Sequence, residues 1–443
     1  MKNKSLSLRK DKLDFEALPL DTLYGDGQTH KQTSSALHRY TATNLPDLLC
    51  LSHLRWDFVY QRPQHLMSRF ARERRVFFVE EPIYDSATPR LDITPRDAGL
   101  WVVVPHLPTG LQDAEVVAWQ QALLQDELLL AHGVTDYLLW YYTPLALAFT
   151  RHLEPLTIIY DCMDELSAFK NAPLALKQYE AELFECADVV FTGGHSLYEA
   201  KALLHENVHP FPSSIDAAHF RQARVQSQPQ PGDQAHLPKP RLGFCGVIDE
   251  RLDQVLLAGM ADARPDWQFV MIGPIVKIDP AELPQRANIH YLGGKSYQEL
   301  PRYMASWDIA LLPFARNEAT RYISPTKTPE YLAAGIPAIS TAIRDVVRPW
   351  GESGLVKIGD TAADFVAAAE ELLSEKFNYV QWLNNVDKLL AIDSWDRTWS
   401  RMGQLINQSV KNRYPQLVNA APSPAVLANP VKTAVALSPS SGD

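Results

Sequence analysis

The chain is 443 residues long, about three times a typical domain, so two cores are expected rather than one. Its 46% apolar and 21% charged residues suit a globular protein in water, and neither an apolar stretch of about 18 residues nor an apolar run behind the basic N-terminus MKNKSLSLRKDKLDFEALPL is present. With 42 basic against 52 acidic residues the net charge is -10, which argues against a general nucleic-acid binder and leaves a cytoplasmic protein as the expectation.

Residues 1 to 45 are rich in Lys, Asp, Ser and Thr without a sustained period, and they read as a flexible arm. From Asp47 short apolar runs alternate with helical patterns: LLCLSHL, RPQHLMSRFARER, VFFVEEP, LWVVVPHL, DYLLWYY, LTIIYDCMD and ADVVFTGG. That alternation predicts βαβ units and a doubly wound parallel sheet over 46–220. Residues 221–240, RQARVQSQPQPGDQAHLPKP, lose the pattern and read as a linker or exposed loop. The rhythm restarts over 241–390 with RLGFCGVID, WQFVMIGPI, NIHYLGG, WDIALLPF, GIPAIST and GLVKIGD, a second doubly wound α/β domain. Residues 391–412 then form a helix bearing Trp395 and Trp399 on one face, and the Pro-, Ala- and Ser-rich residues 413–443 read as a disordered tail. Cys50, Cys162, Cys186 and Cys245 have no spacing for a disulfide framework or a zinc site and are expected to be reduced.

In open parallel sheets ligands sit beyond the C-terminal ends of strands, so the strand-to-helix junctions are the places to search. The most informative is ISPTKTPEYLAAGIPAIST, residues 323–341. Lys327 at the start of its helix offers an ammonium beside unpaired N–H groups to a diphosphate, and Glu330 can accept from two ribose hydroxyls. In IIYDCMDELSAF, Asp161 and Asp164 stand at the C-terminal end of an apolar strand, where a partly desolvated carboxylate serves as a general base; Asp164 is also a natural helix N-cap. GFCGVIDERLD joins a strand to a helix through Gly246, with Arg251 in reach of a phosphate. By the resemblance to GT-B glycosyltransferases that ISPTKTPEYLAAGIPAIST carries, a nucleobase is expected to pack at Gly273, Gly293 and Gly294, and Ser213 and Ser214 to line a cleft. No G-x-G-x-x-G follows a first strand, which discounts a dinucleotide-dependent oxidoreductase.

The segment P-x-K-x-x-E-Y-L-A-x-G-x-P resembles the donor-nucleotide motif of GT-B glycosyltransferases in the form found in bacterial polysaccharide-assembling enzymes. FVYQRPQHLMSRFARERRVFFVEEP, residues 58–82, resembles the N-terminal segment of teichuronic-acid-type transferases. The resemblance implies two Rossmann-like domains facing each other across a cleft. It implies that Lys327 holds the donor diphosphate, Glu330 the ribose, and Ser324 and Thr326 the phosphate or sugar. Arg62, Gln64 and Trp56 become acceptor-binding candidates and His65 a catalytic one, although a lone His at a helix start is often a core or capping residue. Many retaining members carry a Glu-x7-Glu pair, and Tyr322 stands here in place of its first Glu, which leaves the stereochemical outcome open.

The function these readings imply is transfer of a sugar from a nucleotide diphosphate sugar to a polysaccharide, glycolipid or related acceptor. No cofactor and no essential metal are expected, because no clear D-x-D motif follows a strand and Lys327 and Arg251 are there to meet the diphosphate charge. A lipid-linked acceptor would call for peripheral docking at the inner face of the cell membrane. The alternatives are a GT-B subunit that binds a sugar nucleotide without transferase activity, and a sugar-nucleotide epimerase that needs no acceptor.

Overall fold

A computed structural model of the chain describes residues 45–225 and 229–415. The expected arm, apart from Leu45, and the expected tail beyond residue 415 lie outside the described residues.

Fourteen strands form two sheets among the described residues. The first contains β1 (Asp47–Ser52), β2 (Val76–Glu80), β3 (Arg90–Pro95), β4 (Leu100–His106), β5 (Tyr137–Tyr141), β6 (Thr157–Cys162), β7 (Val189–Thr192) and β8 (Val208–Pro210). Their order is β3-β4-β2-β1-β5-β6-β7-β8, parallel except for the antiparallel β3–β4 pair. The second contains β9 (Arg241–Cys245), β10 (Gln268–Ile272), β11 (Ile289–Tyr291), β12 (Ile309–Leu312), β13 (Ala338–Ser340) and β14 (Val356–Ile358), in the order β11-β10-β9-β12-β13-β14 and wholly parallel. β1 reads DLLCLS and is buried at every position, as expected of a central parallel strand covered on both faces.

The helices used below are α1 (Arg62–Phe70), α2 (Asp113–Ala122), α3 (Leu176–Cys186), α4 (His195–Lys201), α5 (Gln254–Ala263), α6 (Lys327–Ala333), α7 (Ala362–Leu373), α8 (Tyr379–Leu390) and α9 (Trp395–Arg413). α8 buries Trp382, Val386 and Leu390 in the core of the second domain. α9 starts at Ser394, whose hydroxyl caps Arg397 N, and crosses back to bury Trp395, Met402 and Ile406 in the core of the first.

The segment 221–240 is largely exposed where it is described, but it is anchored to the second domain at Gln234 and Leu237. Gln234 is fully buried, donates to Tyr303 O at 2.9 Å and Ser306 Oγ at 2.8 Å, and accepts from Trp307 Nε1 at 3.2 Å. Ile215 and Phe220 already belong to the core of the second domain, so the passage between domains precedes the Gln- and Pro-rich stretch. Composition marked the segment as polar, yet the buried amide of one Gln, satisfied on both sides, ties it down.

In each sheet the strand order reverses beside the first strand, between β1 and β5 and between β9 and β12. These switch points are where a parallel sheet opens a crevice at its C-terminal edge.

Candidate active site

The two switch points share one cleft. The loop after β1 supplies Tyr60 and Gln61, the loop after β6 supplies Met163 and Asp164, and the turn after β9 supplies Gly246 and Arg251; residues 323–327 close it. The enclosed volume is about 150 Å³.

On the second domain's side, Ser324, Thr326 and Lys327 line the cleft together with Gly246 and Arg251. Lys327 pairs with Glu330 one turn on, and Glu330 is 7% exposed. Burial opposes the charge on Lys327, but the Glu330 carboxylate outweighs it and holds the ammonium above its usual range. Arg251 forms a two-pronged pair with Asp249, its Nε 2.9 Å and its Nη2 2.8 Å from that carboxylate, and its guanidinium lies over the Phe169 ring at 5.5 Å. Gly246 N–H donates to Ile272 O at 2.9 Å, so this residue supplies room and no free donor. Gly273 explains the close turn beside it, for with φ +149° a Cβ there would stand 1.7 Å from Gly246 O. Gly273, Gly293 and Gly294 do not line the cleft.

On the first domain's side the two carboxylates separate. Asp161 is fully buried, accepting from Arg62 Nη2 at 2.7 Å and Nε at 3.0 Å, and Arg62 Nη1 donates to Phe211 O at 2.6 Å. Asp161 is therefore corrected from a base to one half of a buried ion pair that ties α1 to β6. Arg62 touches the cleft wall but is 1% exposed, and each of its nitrogens serves this pair or Phe211, so its role here is structural. Asp164, three residues on, does reach the cleft. Desolvation raises its carboxyl to about 6 against the opposing charges of Arg251 and Arg62. A carboxylate poised there suits proton removal near neutrality.

Three more expectations need correction. Gln64 is fully buried, its amide donating to Trp56 O at 2.8 Å and its oxygen accepting from Gln61 N at 3.0 Å as half of a capping box. Trp56 packs edge-on against Phe78 at 5.0 Å in the core. His65 stacks on Trp395 at 4.6 Å and meets the edges of Tyr297 and of the cleft residue Tyr60, so it packs behind the cleft wall without lining it. Burial, with the nearby Arg69 charge, drives its pKa down to about 3, so the ring is neutral and packs as an aromatic. Among the serines, Ser213 lines the cleft, while Ser214 Oγ donates to Asp393 at 2.7 Å.

Sequence reasoning missed Asp345, 5% exposed, which accepts from Ser196 N at 3.0 Å and so caps α4 from the other domain. A Cβ on Gly194 would stand 2.2 Å from Asp345 Oδ2 and 2.8 Å from Ser324 Cβ, so the two domains meet there over bare backbone. The glycine pair in ADVVFTGG was a visible signal; nothing local singled out Asp345.

Residues 239–375 match the family described as glycosyl transferases group 1. A Bacillus subtilis (strain 168) protein assigned as a teichuronic acid biosynthesis glycosyltransferase, TuaH, is 27% identical over 242 residues, 49% of this chain and 59% of that protein. The chain thus spans under two thirds of the length of this curated relative. Sucrose-phosphate synthase from Thermosynechococcus elongatus superposes with a TM-score of 0.62 at 14% identity, covering 82% of this chain and 99% of that one. The E. coli trehalose-6-phosphate structure bound with UDP-2-fluoro glucose gives 0.61 at 11% identity over 82% and 99%, and Anabaena HepE in complex with UDP gives 0.55 at 11% over 82% and 100%. At such identities the likeness fixes the fold, and the fold is GT-B.

Proposed function

We propose that this chain transfers a hexosyl or uronosyl group from a nucleoside diphosphate sugar, held by the second domain, to a hydroxyl of a polysaccharide, glycolipid or related acceptor at the first. What carries the reading is the convergence of Ser324, Thr326, Lys327, Arg251 and Gly246 on one wall of the cleft, with Asp164 on the opposite wall. The acceptor oxygen bonds to the anomeric carbon as the bond from that carbon to the diphosphate breaks. The acceptor's proton passes to Asp164, and the leaving electron pair goes to the diphosphate, whose charge Lys327 and Arg251 meet. Glu330, through Lys327, positions the ammonium and accepts from the ribose. No resident metal enters this scheme, since Asp161 is committed to Arg62 and leaves Asp164 the one free carboxylate of the D-x-x-D pair. The likeness to TuaH, assigned to teichuronic acid biosynthesis, supports a polysaccharide as the destination; reaction in the cytoplasm, toward a cell-envelope polymer, belongs to the same proposal. No helix among the described residues is long and apolar enough to cross a membrane, and a lipid-linked acceptor would be met by peripheral docking.

Calorimetric titration with uridine, guanosine and thymidine diphosphates tests the donor site. One of them is expected to bind saturably, and Lys327→Ala to weaken it about tenfold or more, the loss of one charge-assisted contact. Absence of binding by folded wild-type protein would sink the proposal.

A further inference from the structure

The first domain holds a second cavity, of about 260 Å³, at the C-terminal ends of β1, β2 and β5. Its walls include apolar surface from Leu51, Val79, Leu145 and Phe149. Of its polar side chains, Ser52 is bonded to the Leu54 backbone, while three others are left unused by the protein. Thr143 is 4% exposed and Gln120 is 8% exposed; among the described residues, neither side chain makes a hydrogen bond within the protein, and the same holds for the Glu81 carboxylate. Buried amides and hydroxyls are ordinarily paired, so this set points to a partner that comes from outside. The neighbouring Glu80 is satisfied, accepting from Arg55 Nη1 at 2.9 Å and Trp56 N at 2.7 Å. Arg55 also donates to Glu81 O at 2.6 Å and Pro82 O at 3.3 Å, which fixes the rim that carries Glu81.

We propose that this cavity is the subsite for the terminal ring of the acceptor, and that the ring is a neutral pyranose rather than a uronate or a phosphorylated sugar. The chemistry of the walls decides the class: an apolar face for ring C–H groups, an amide and a hydroxyl for ring hydroxyls, and a carboxylate that takes hydroxyl donors and repels an anion. Topology supplies the address. Ser52 in the cavity wall ends β1, whose following loop lines the cleft, and Thr143 follows β5, the neighbour of the strand that leads to Asp164. The inference rests on the transferase reading, and it moves the acceptor away from Arg62, Gln64 and Trp56, all of which are buried in structural roles.

The test is saturation-transfer NMR on the full chain with p-nitrophenyl glucoside, galactoside, mannoside and glucuronide, run beside the nucleotide titrations. A neutral hexoside is expected to bind saturably, and the glucuronide about tenfold more weakly or worse, as an anion set against the two carboxylates of Glu80 and Glu81, which the single charge of Arg55 offsets only in part. Val116→Trp, on the half-buried wall contributed by α2, fills the cavity; it is expected to weaken the hexoside about tenfold or more and to leave nucleotide affinity unchanged. Gln120→Leu is the milder companion and should act in the same direction. Absence of saturable hexoside binding, a glucuronide bound as tightly as the glucoside, or hexoside binding indifferent to both variants would each overturn the assignment. Nucleotide binding with these outcomes would remove the subsite alone, whereas loss of nucleotide binding in the wild type would remove the donor reading and leave the hexoside result to stand by itself.

Discussion

At the scale of single residues, two aspartates three positions apart have opposite fates because of what each meets. Asp161 lies inside β6 with an arginine against both oxygens, and removing either partner leaves a buried charge. Arg62→Ala and Asp161→Ala should each cost about 3–5 kcal/mol in denaturant unfolding, with loss of activity following loss of fold. Asp164 faces the cleft, and Asp164→Asn is expected to lower transfer by roughly 10²–10⁴ while sparing nucleotide binding. Because its carboxyl is raised to about 6, the wild-type rate should fall as the pH drops through that value and the base takes up a proton. The same shift sets a stability difference of known sign: the folded state binds this proton more tightly than the unfolded chain, so the wild type loses stability as pH rises from about 4 to about 6 and stays penalised above. Asp164→Asn should therefore melt higher than the wild type at pH 7 and lose that advantage near pH 4. His65→Gln must leave the acid limb of the rate in place, since an imidazole at about 3 does not titrate near 6.

At the scale of elements, α4 and α9 depend on residues far off in the chain. The N-terminus of α4 is capped by Asp345 of the other domain, and Arg344 pairs with Glu199 beside it. Asp345→Ala should cost about 1 kcal/mol as a lost cap, and Gly194→Ala, which pushes a methyl into Asp345 and Ser324, should hold the domains apart and weaken nucleotide binding. Small-angle scattering with and without nucleotide reads that separation directly. α9 anchors itself through Trp395, 2% exposed and stacked on His65. Trp395→Ala should cost about 3–5 kcal/mol, visible as a lower melting temperature of the first domain.

At the scale of the whole molecule, the cleft of about 150 Å³ is smaller than the roughly 300–1,000 Å³ usual for ligand sites, so admission of the proposed nucleotide sugar would require the domains to part. The contacts across the cleft include the packing of Tyr60 and His65 against Tyr297 as well as polar ones, and the Asp345 cap is one that a hinge motion can break and remake.

How much of this was legible in the sequence follows from the range of the forces. Strand and helix alternation is local, so runs such as LLCLSHL and WDIALLPF declare two doubly wound sheets, and the strand-to-helix turn at Lys327 with its carboxylate one turn on is short enough to be read as a motif. Burial and partnership are not local. Arg62 meets Asp161 across 99 residues, His65 meets Trp395 at the far end of the chain, and Ser196 finds its cap at Asp345, 149 residues on. A polar residue at a strand's end or a helix's start carries the same letter whether it faces a ligand or a buried counter-charge. The sequence by itself determined the two-domain architecture and the strand-to-helix turn at Lys327; the tertiary structure alone decided which polar side chains the fold keeps for itself and which, like Asp164 and Gln120, it leaves lining a cleft or cavity.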